Sequence, residues 1–372
     1  MTTRTRIALL VGLSLVVGAC GGQAVSPAPT QAPSQTALPS ATEAGDARLV
    51  LMTHDSFAVS DGILEAFEQE HGVDVEVLRG GDAGAVVNQA ILTRDNPVAD
   101  VLFGVDNTFL SRALDEEIFV SHEAAGLDSV PADLQLEAEH RVTPIDYGDV
   151  CLNYDRSAFE APFDVAPPSA LESLDGPPYN GKLVVENPAT SSPGLAFMLA
   201  TIVRFGESGD YTWIDYWRAL RENVPGLVVT AGWEEAYYGS FSGGSGEGDR
   251  PIVVSYATSP VAEVIFADPQ PERAPTAVID DGCFRQIEFA GVLAGTESPE
   301  LAGELIDFML GDEFQADIPL SMFVFPANST VELPDVFVEH AAQVSEPLTM
   351  DPAMIAENRE RWLEEWTDAV LR

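Results

Sequence analysis

The sequence predicts an α/β protein with two lobes built on mostly parallel sheet, and three observations predict it. Short apolar strands alternate with helical stretches, the pattern that builds a parallel sheet. Two long extended runs, in mid-chain and in the last third, read as crossings between lobes. The chain has 372 residues, more than one core comfortably supports.

At the amino end, Arg4 and Arg6 precede the apolar run Ile7 to Val17, which closes on Gly18-Ala19-Cys20. A positive start, a short apolar core and small residues at the cut predict a signal peptide over 1–19. The run is too short to stay in a bilayer as a spanning helix. Cys20 after Gly-Ala resembles a bacterial lipobox, which implies cleavage before Cys20 and lipid on that residue. Residues 20–46 are rich in Gly, Ser, Pro, Ala and Thr without apolar periodicity, so they read as a disordered tether.

Three strand-to-helix units follow. Leu49 to Thr53 runs into His54-Asp55, then a helix over Ile63 to Glu70. Val73, Val75 and Val77 alternate, then come Gly80-Gly81-Asp82 and a helix over Ala85 to Thr93. Val101 to Val105 ends at Asp106-Asn107, with a helix over Phe109 to Phe119. Val142 to Tyr154 is the first crossing. The second lobe repeats the logic: a strand over Lys182 to Val185, then Thr190-Ser191-Ser192-Pro193 opening a helix over Leu195 to Phe205. A helix around Trp213 to Asn223 and a strand over Leu227 to Thr230 lead to Gly232-Trp233-Glu234-Glu235-Ala236-Tyr237-Tyr238. After an acidic glycine-rich loop, Ile252 to Tyr256 reads as a strand breaking at Thr258-Ser259-Pro260. Ser259 then N-caps and Pro260 takes the first helical position. Residues 284–294 form the return crossing, Ser298-Pro299 starts a helix over Glu300 to Leu310, and Phe323 to Pro326 is a short strand or loop. Asp351-Pro352 caps a last amphipathic helix with Trp362 and Trp366 on one packing face. The expected bounds are therefore lobe one over 47–145 and 283–345, lobe two over 146–282, and a carboxyl-terminal helix over 346–372.

The formal net charge is −42, and Lys182 is the one lysine. Phosphate backbones demand basic clusters, so nucleic acid is excluded as a partner. Acids spread evenly along the chain make a solvated surface, which also suits a saline habitat. Besides Cys20 the chain holds Cys151 and Cys283, in the first crossing and at the start of the second. Outside the cytoplasm such a pair is a candidate disulfide. Their alternative is two packed thiols.

Catalytic signatures do not stand out. The chain has no Gly-x-Ser-x-Gly elbow, no His-Glu-x-x-His, no P-loop and no Gly-x-Gly-x-x-Gly. A binding protein fits better than an enzyme, with no cofactor and no resident metal; a hydrolase would need a nucleophile and base that the chain does not show. In open α/β sheets ligands bind outside the carboxyl ends of strands. Strand ends and helix starts select Asp55, Asp82, Asp106, Ser191, Ser192 and Tyr256 to Ser259, with Trp233 as a flat stacking face. Each Asp and Ser has a plainer reading as a helix cap, and each aromatic as core.

Taken together and in order, several segments resemble the thiamine-binding receptors of bacterial ABC transporters from about residue 48 to the end. They are Asp55-Ser56-Phe57-Ala58, Ala99-Asp100-Val101, Gly104-Val105-Asp106-Asn107, Asp146-Tyr147-Gly148, Thr190 to Leu195, Gly232 to Tyr237 and Ser255 to Pro260. The resemblance implies a two-lobe type II periplasmic-binding-protein fold with hinge crossings. It implies a monomer that closes on thiamine or its mono- or diphosphate and serves an ABC permease. Its contact with the membrane is the lipid anchor alone. Carried over by position, Asp82 and Ala83 contact ligand from the first lobe, and Ser191 and Ser192 lie near the phosphate end. Trp233 stacks, and Tyr256, Ala257, Thr258 and Ser259 form the strand-end cluster. His54 stands where the family commonly has Tyr, and Phe323 where Trp is usual. Carboxylates at Asp82, Asp55 or Asp106 would answer the thiazolium charge, and Trp233 and Tyr256 would each add about 0.5–2 kcal/mol of cation–π contact. The alternative is a ferric-ion receptor of the same fold, with Tyr237 and Tyr238 as phenolate ligands and His54 as a third.

Overall fold

A computed structural model describes residues 47–160, 165–223 and 225–372. The expected signal peptide, the lipidated Cys20 and the tether up to residue 46 lie outside the described residues. The described residues form one contact-continuous unit.

The first half contains β1 (Ala47–Thr53), α1 (Ile63–His71), β2 (Val73–Arg79), α2 (Ala83–Thr93), β3 (Val101–Asp106), α3 (Leu110–Asp115), β4 (Phe119–Val120) and β5 (Thr143–Asp155). The middle of the chain adds β6 (Leu183–Glu186), α4 (Ser192–Phe205), α5 (Trp213–Glu222), β7 (Val228–Thr230), a π-helical turn over Glu235–Ser240, β8 (Ile252–Tyr256) and α6 (Ser259–Ile265). The last part supplies β9 (Thr276–Leu293), α7 (Pro299–Leu310), α8 (Asp312–Ser321), β10 (Phe325–Pro326), α9 (Asp335–His340) and α10 (Pro352–Val370).

The strands form one sheet in the order β2-β1-β3-β9-β5-β8-β6-β7, with β4 on β9 and β10 on β5. Both ends are parallel: β1 pairs with β2 and β3, and β6 with β7 and β8. The centre is antiparallel, because β5 leaves the first lobe while β9 returns to it. The crossings are therefore the middle of the sheet: β9 pairs with β3 of the first lobe, β5 with β8 of the second, and the two with each other. β9 is also longer than expected, starting at Thr276 instead of 284. Polar residues over Asp280–Gly282 hid its first half.

Other departures are local. The helix expected to reach Phe119 stops at Asp115, where Glu117 turns to a φ of 53° and frees Phe119 to pair with β9. Ser191, not Ser192, caps α4, its Oγ accepting from Gly194 N at 3.4 Å. Thr258 occupies the cap position of α6, which makes Ser259 the first helical residue. Helices α8 and α9 and the π-helical turn carried no periodic signal that announced them.

The core is continuous across the crossings. Trp213, Trp217, Trp362 and Trp366 are fully buried. Trp217 of α5 meets Trp366 of α10 edge to face at 5.5 Å. Arg359 of α10 lies 4.6 Å over the Phe109 ring beside α3. The last helix thus packs on both lobes. Cys151 and Cys283 are joined in a disulfide, with Cα atoms 4.3 Å apart, tying β5 to β9 where the crossings meet. Two residues on, Arg285 grips Asp149 with two bonds of 2.6 and 3.0 Å.

Candidate functional site

The first-lobe strand ends supply one wall. His54 follows β1 and is 9% exposed. Its ring lies against Phe103 at 5.4 Å and over Gly104. Gly104 has a φ of 96°, and a Cβ there would sit 2.2 Å from His54 Cδ2. Only glycine lets the ring lie so close to β3. His54 Nε2 stands 3.3 Å from Glu288 Oε2. Burial opposes a charge on His54, but the carboxylates of Glu288, Asp82 and Asp106 outweigh it and hold the pKa above its ordinary value.

Asp82 caps α2, accepting from Ala83 N at 2.8 Å. Burial raises its pKa against the hydrogen bonds from Ala83 and Ser192 backbone N–H groups. Ala83 itself is buried. Asp55 is exposed; its Oδ1 accepts from Gly81 N at 3.0 Å, which ties the first two strand-end loops together. Asp106 is fully buried, and Oδ1 accepts from Thr108 N at 2.7 Å. Its Oδ2 accepts from Ser192 Oγ at the start of α4. That bond joins the first lobe to the second. Burial outweighs these donors and pushes the Asp106 pKa up to about 6.

The second-lobe strand ends form the facing wall. Ser191 caps α4 and Ser192 reaches across to Asp106, so the two hydroxyls do different work. Trp233 Nε1 donates to Ser255 Oγ at 2.8 Å, and Ser255 and Ser259 hydroxyls meet at 2.7 Å. Tyr256 N donates to Ser259 Oγ at 3.2 Å. These bonds lock Trp233 to the end of β8. One face of its ring is already stacked on Tyr237 at 5.0 Å. The Tyr256 ring lies over Gly148, where a Cβ would come within 2.9 Å of Cδ1. Its hydroxyl donates to Gln286 Oε1 at 3.3 Å, and burial raises its pKa. Ala257 is buried, with its N–H bonded to Asp149 O. Thr258 Oγ1 donates to Phe323 O, and Phe323 sits at a φ of 57° against Phe266.

The structure therefore brings His54, Asp82, Asp106, Ser192 and Tyr256 into one cluster between the lobes. Trp233, Ser255 and Ser259 adjoin it through β8. Phe323 and Thr258 form a separate contact between lobes, and Asp55 lies on the exposed rim. Four further residues belong to the cluster: Asp146, which the sequence marked only within the Asp146-Tyr147-Gly148 segment, and Glu186, Gln286 and Glu288, which it did not mark. Asp106, Glu288 and Asp146 lie side by side on β3, β9 and β5, each pair directly opposite in register. Directly opposed residues put their side chains on the same face. Asp146 is 1% exposed, and neither carboxyl oxygen has a donor; Glu186 is 0% exposed and equally without one. Burial, then the nearby Glu288, pushes the Asp146 pKa well up. Burial does the same to Glu186.

Tyr237 and Tyr238 do not join this cluster. Tyr237 is buried with Val184, Phe241 and Val253, and its titration is governed by burial and then by Glu263. Tyr238 points the other way, 46% exposed, its ring at 82° to that of Tyr237. The geometry thus separates the tyrosine pair from His54.

Residues 96–364 match the family model described as bacterial extracellular solute-binding protein. The chain belongs to this family. Over 329 residues this solute-binding protein is 30% identical to the thiamine-binding periplasmic protein of Escherichia coli K12, covering 87% of this chain and 94% of that one. It superposes on a solved periplasmic thiamin binding protein with a TM-score of 0.74 at 29% identity, covering 87% and 96% of the two chains. A ferric binding protein from Campylobacter jejuni shares the fold, with a TM-score of 0.68 at 17% identity over 86% and 99% of the chains. The fold is the two-lobe type II periplasmic-binding-protein fold, and the family is a transport component of extracytoplasmic solute capture.

Proposed function

We propose that this solute-binding protein captures thiamine, or its mono- or diphosphate, between its lobes and delivers it to an ABC permease without chemical turnover. The observation that carries the reading is the Asp106–Ser192 bond. It joins a first-lobe strand end to a second-lobe helix start, in the middle of the strand-end residues that the resemblance assigns to ligand. Relatives named for thiamine binding align over nearly the whole body at 29–30% identity. The chemistry agrees: a cationic ring meets a carboxylate-rich wall, an aminopyrimidine meets aromatic faces at Trp233 and Tyr256, and a phosphate meets the hydroxyls at Ser191 and Ser192.

Two further parts complete the proposal. The body acts as a monomer, and a lipid on Cys20 holds it at the outer face of the cell membrane. Among the described residues no helix is long and apolar enough to cross a membrane, so a lipid on Cys20 would supply the attachment. The test is calorimetric titration of the chain from Gly45 onwards with thiamine, its two phosphates and ferric citrate. Heat with at least one thiamine form and none with iron is the expected result. Silence with all three thiamine forms would overturn the reading.

A further inference from the structure

The wall between the lobes holds more negative charge than its own cations answer. Asp149 has a partner in Arg285. Three residues away, Asp106, Glu288 and Asp146 stand in one row across three adjacent strands. The charged and titratable groups facing that row are His54 after β1, Asp82 after β2, Tyr256 on β8 and Arg359 of α10, with Glu186 at the end of β6 behind Asp82. Arg359 is engaged with the Phe109 ring and has Arg112 beside it. Among the described residues, His54 is the one basic side chain hydrogen-bonded into the row, through Glu288. Asp146 meets Glu288 carboxyl to carboxyl with no donor to either of its own oxygens. Two buried carboxylates in contact are stable only when a proton or another cation is shared between them.

We propose that Asp106, Glu288 and Asp146 form the subsite that reads the fixed positive charge of the bound ring, and that a proton fills it until that cation arrives. This inference rests on the thiamine reading above and adds residues and a proton exchange to it. In the free protein the proton is seated on the carboxyl row or on His54. The incoming organic monocation replaces it, and the proton leaves to solvent, so charge in the cleft is conserved. Selectivity follows: a neutral ring of the same shape leaves the row still needing its proton and gains nothing from it.

The sign of the pH dependence follows from the same groups. At low pH Asp146 and Asp106 carry protons and His54 is charged, so an entering cation must expel a proton against the gradient. As pH rises, Asp106 ionises near 6 and His54 discharges above its ordinary value, and both changes favour the cation. Release of one proton makes affinity rise about tenfold per pH unit below the row's titration and level off above it.

The experiment uses thiamine and its deaza isostere, in which a neutral carbon replaces the ring nitrogen, titrated calorimetrically from pH 5 to 8. Each titration is repeated in two buffers of different ionisation heat. The isostere keeps the aminopyrimidine, so titration of that ring cancels between the ligands. The expected result is proton release on thiamine binding near pH 6, a thiamine affinity at least tenfold lower at pH 5 than at pH 7, and a flat profile for the isostere. Glu288→Gln and, as a second variant, Asp146→Asn should each reduce the thiamine-to-isostere preference about tenfold or more and flatten the profile. Equal pH profiles for the two ligands, or variants that weaken both alike, overturn the subsite while leaving thiamine as ligand. Absence of thiamine binding at every pH overturns the ligand reading and this inference with it.

Discussion

Replacing Arg285 by Met tests how the two crossings are held together. Asp149 and Arg285 are opposite each other on β5 and β9, with side chains 2% and 15% exposed and two bonds of 2.6 and 3.0 Å between them. The guanidinium also lies 4.6 Å over the Tyr147 ring. Removing the cation leaves a buried carboxylate without a partner, a loss of about 3–5 kcal/mol. The loss depends on pH. Burial already raises the Asp149 pKa, and Arg285 is what opposes that rise. Without Arg285 the folded-state pKa climbs further above the unfolded value. A carboxyl shifted in that direction favours the fold below its unfolded pKa and loses that contribution as pH rises through its folded pKa. The deficit of Arg285→Met is therefore full near pH 8 and smaller near pH 5, where Asp149 takes a proton. Urea unfolding followed by circular dichroism at both pH values, on the wild type, Arg285→Met, Asp149→Leu and the double variant, reads it directly. The double variant should recover most of the loss, because a pair of apolar side chains replaces a buried ion pair at little cost. A deficit below about 1 kcal/mol at pH 8, or one equal at both pH values, would refute the reasoning.

Trp233→Ala removes the bond to Ser255 and the aromatic face beside β8, so thiamine affinity should fall at least about tenfold and ligand-dependent fluorescence quenching should largely vanish in a folded protein; unchanged affinity would assign Trp233 to packing on Tyr237 alone. Replacing both Cys151 and Cys283 by Ser opens a loop spanning a sequence separation of 132, which in the chain-entropy model lowers stability by about 4–5 kcal/mol. The midpoint of urea unfolding checks it, and two alkylatable thiols in the unreduced wild-type body would rule the bond out. Cys20→Ser should move the protein from the membrane fraction to the soluble fraction; retention with membranes after a high-salt wash would defeat the lipid-anchor reading.

Sequence alone determined the elements whose signal is local. Alternating valines mark β2, Pro193 and Pro260 mark two helix starts, and Trp362 and Trp366 share a face because four residues make about one helical turn. The strand-end rule then selected Asp82, Asp106, Ser192 and Tyr256 as cleft residues, since an α/β sheet places its strand ends together whatever the details. The chemistry of single caps was less legible. Ser191 and Ser192 are both able to cap α4, and only the position of Asp106 on the other lobe decides which hydroxyl caps and which crosses to the first lobe. The cap of α6 was decided likewise, by the bond from Thr258 to Phe323.

Tertiary structure alone decided what depends on register. Asp146 and Glu288 lie 142 positions apart in the chain, within runs that read as plain extended crossings. Their meeting depends on how β5 and β9 are paired, bulges included. A slip of one residue on either strand would turn one of the carboxyls to the opposite face of the sheet. Glu186 shows the same limit: at the end of β6 nothing nearby in sequence marks it as buried or without a donor. Side-chain type and helix or strand period are properties of neighbours along the chain. Register, burial and the sharing of a proton between carboxyls are properties of neighbours in space.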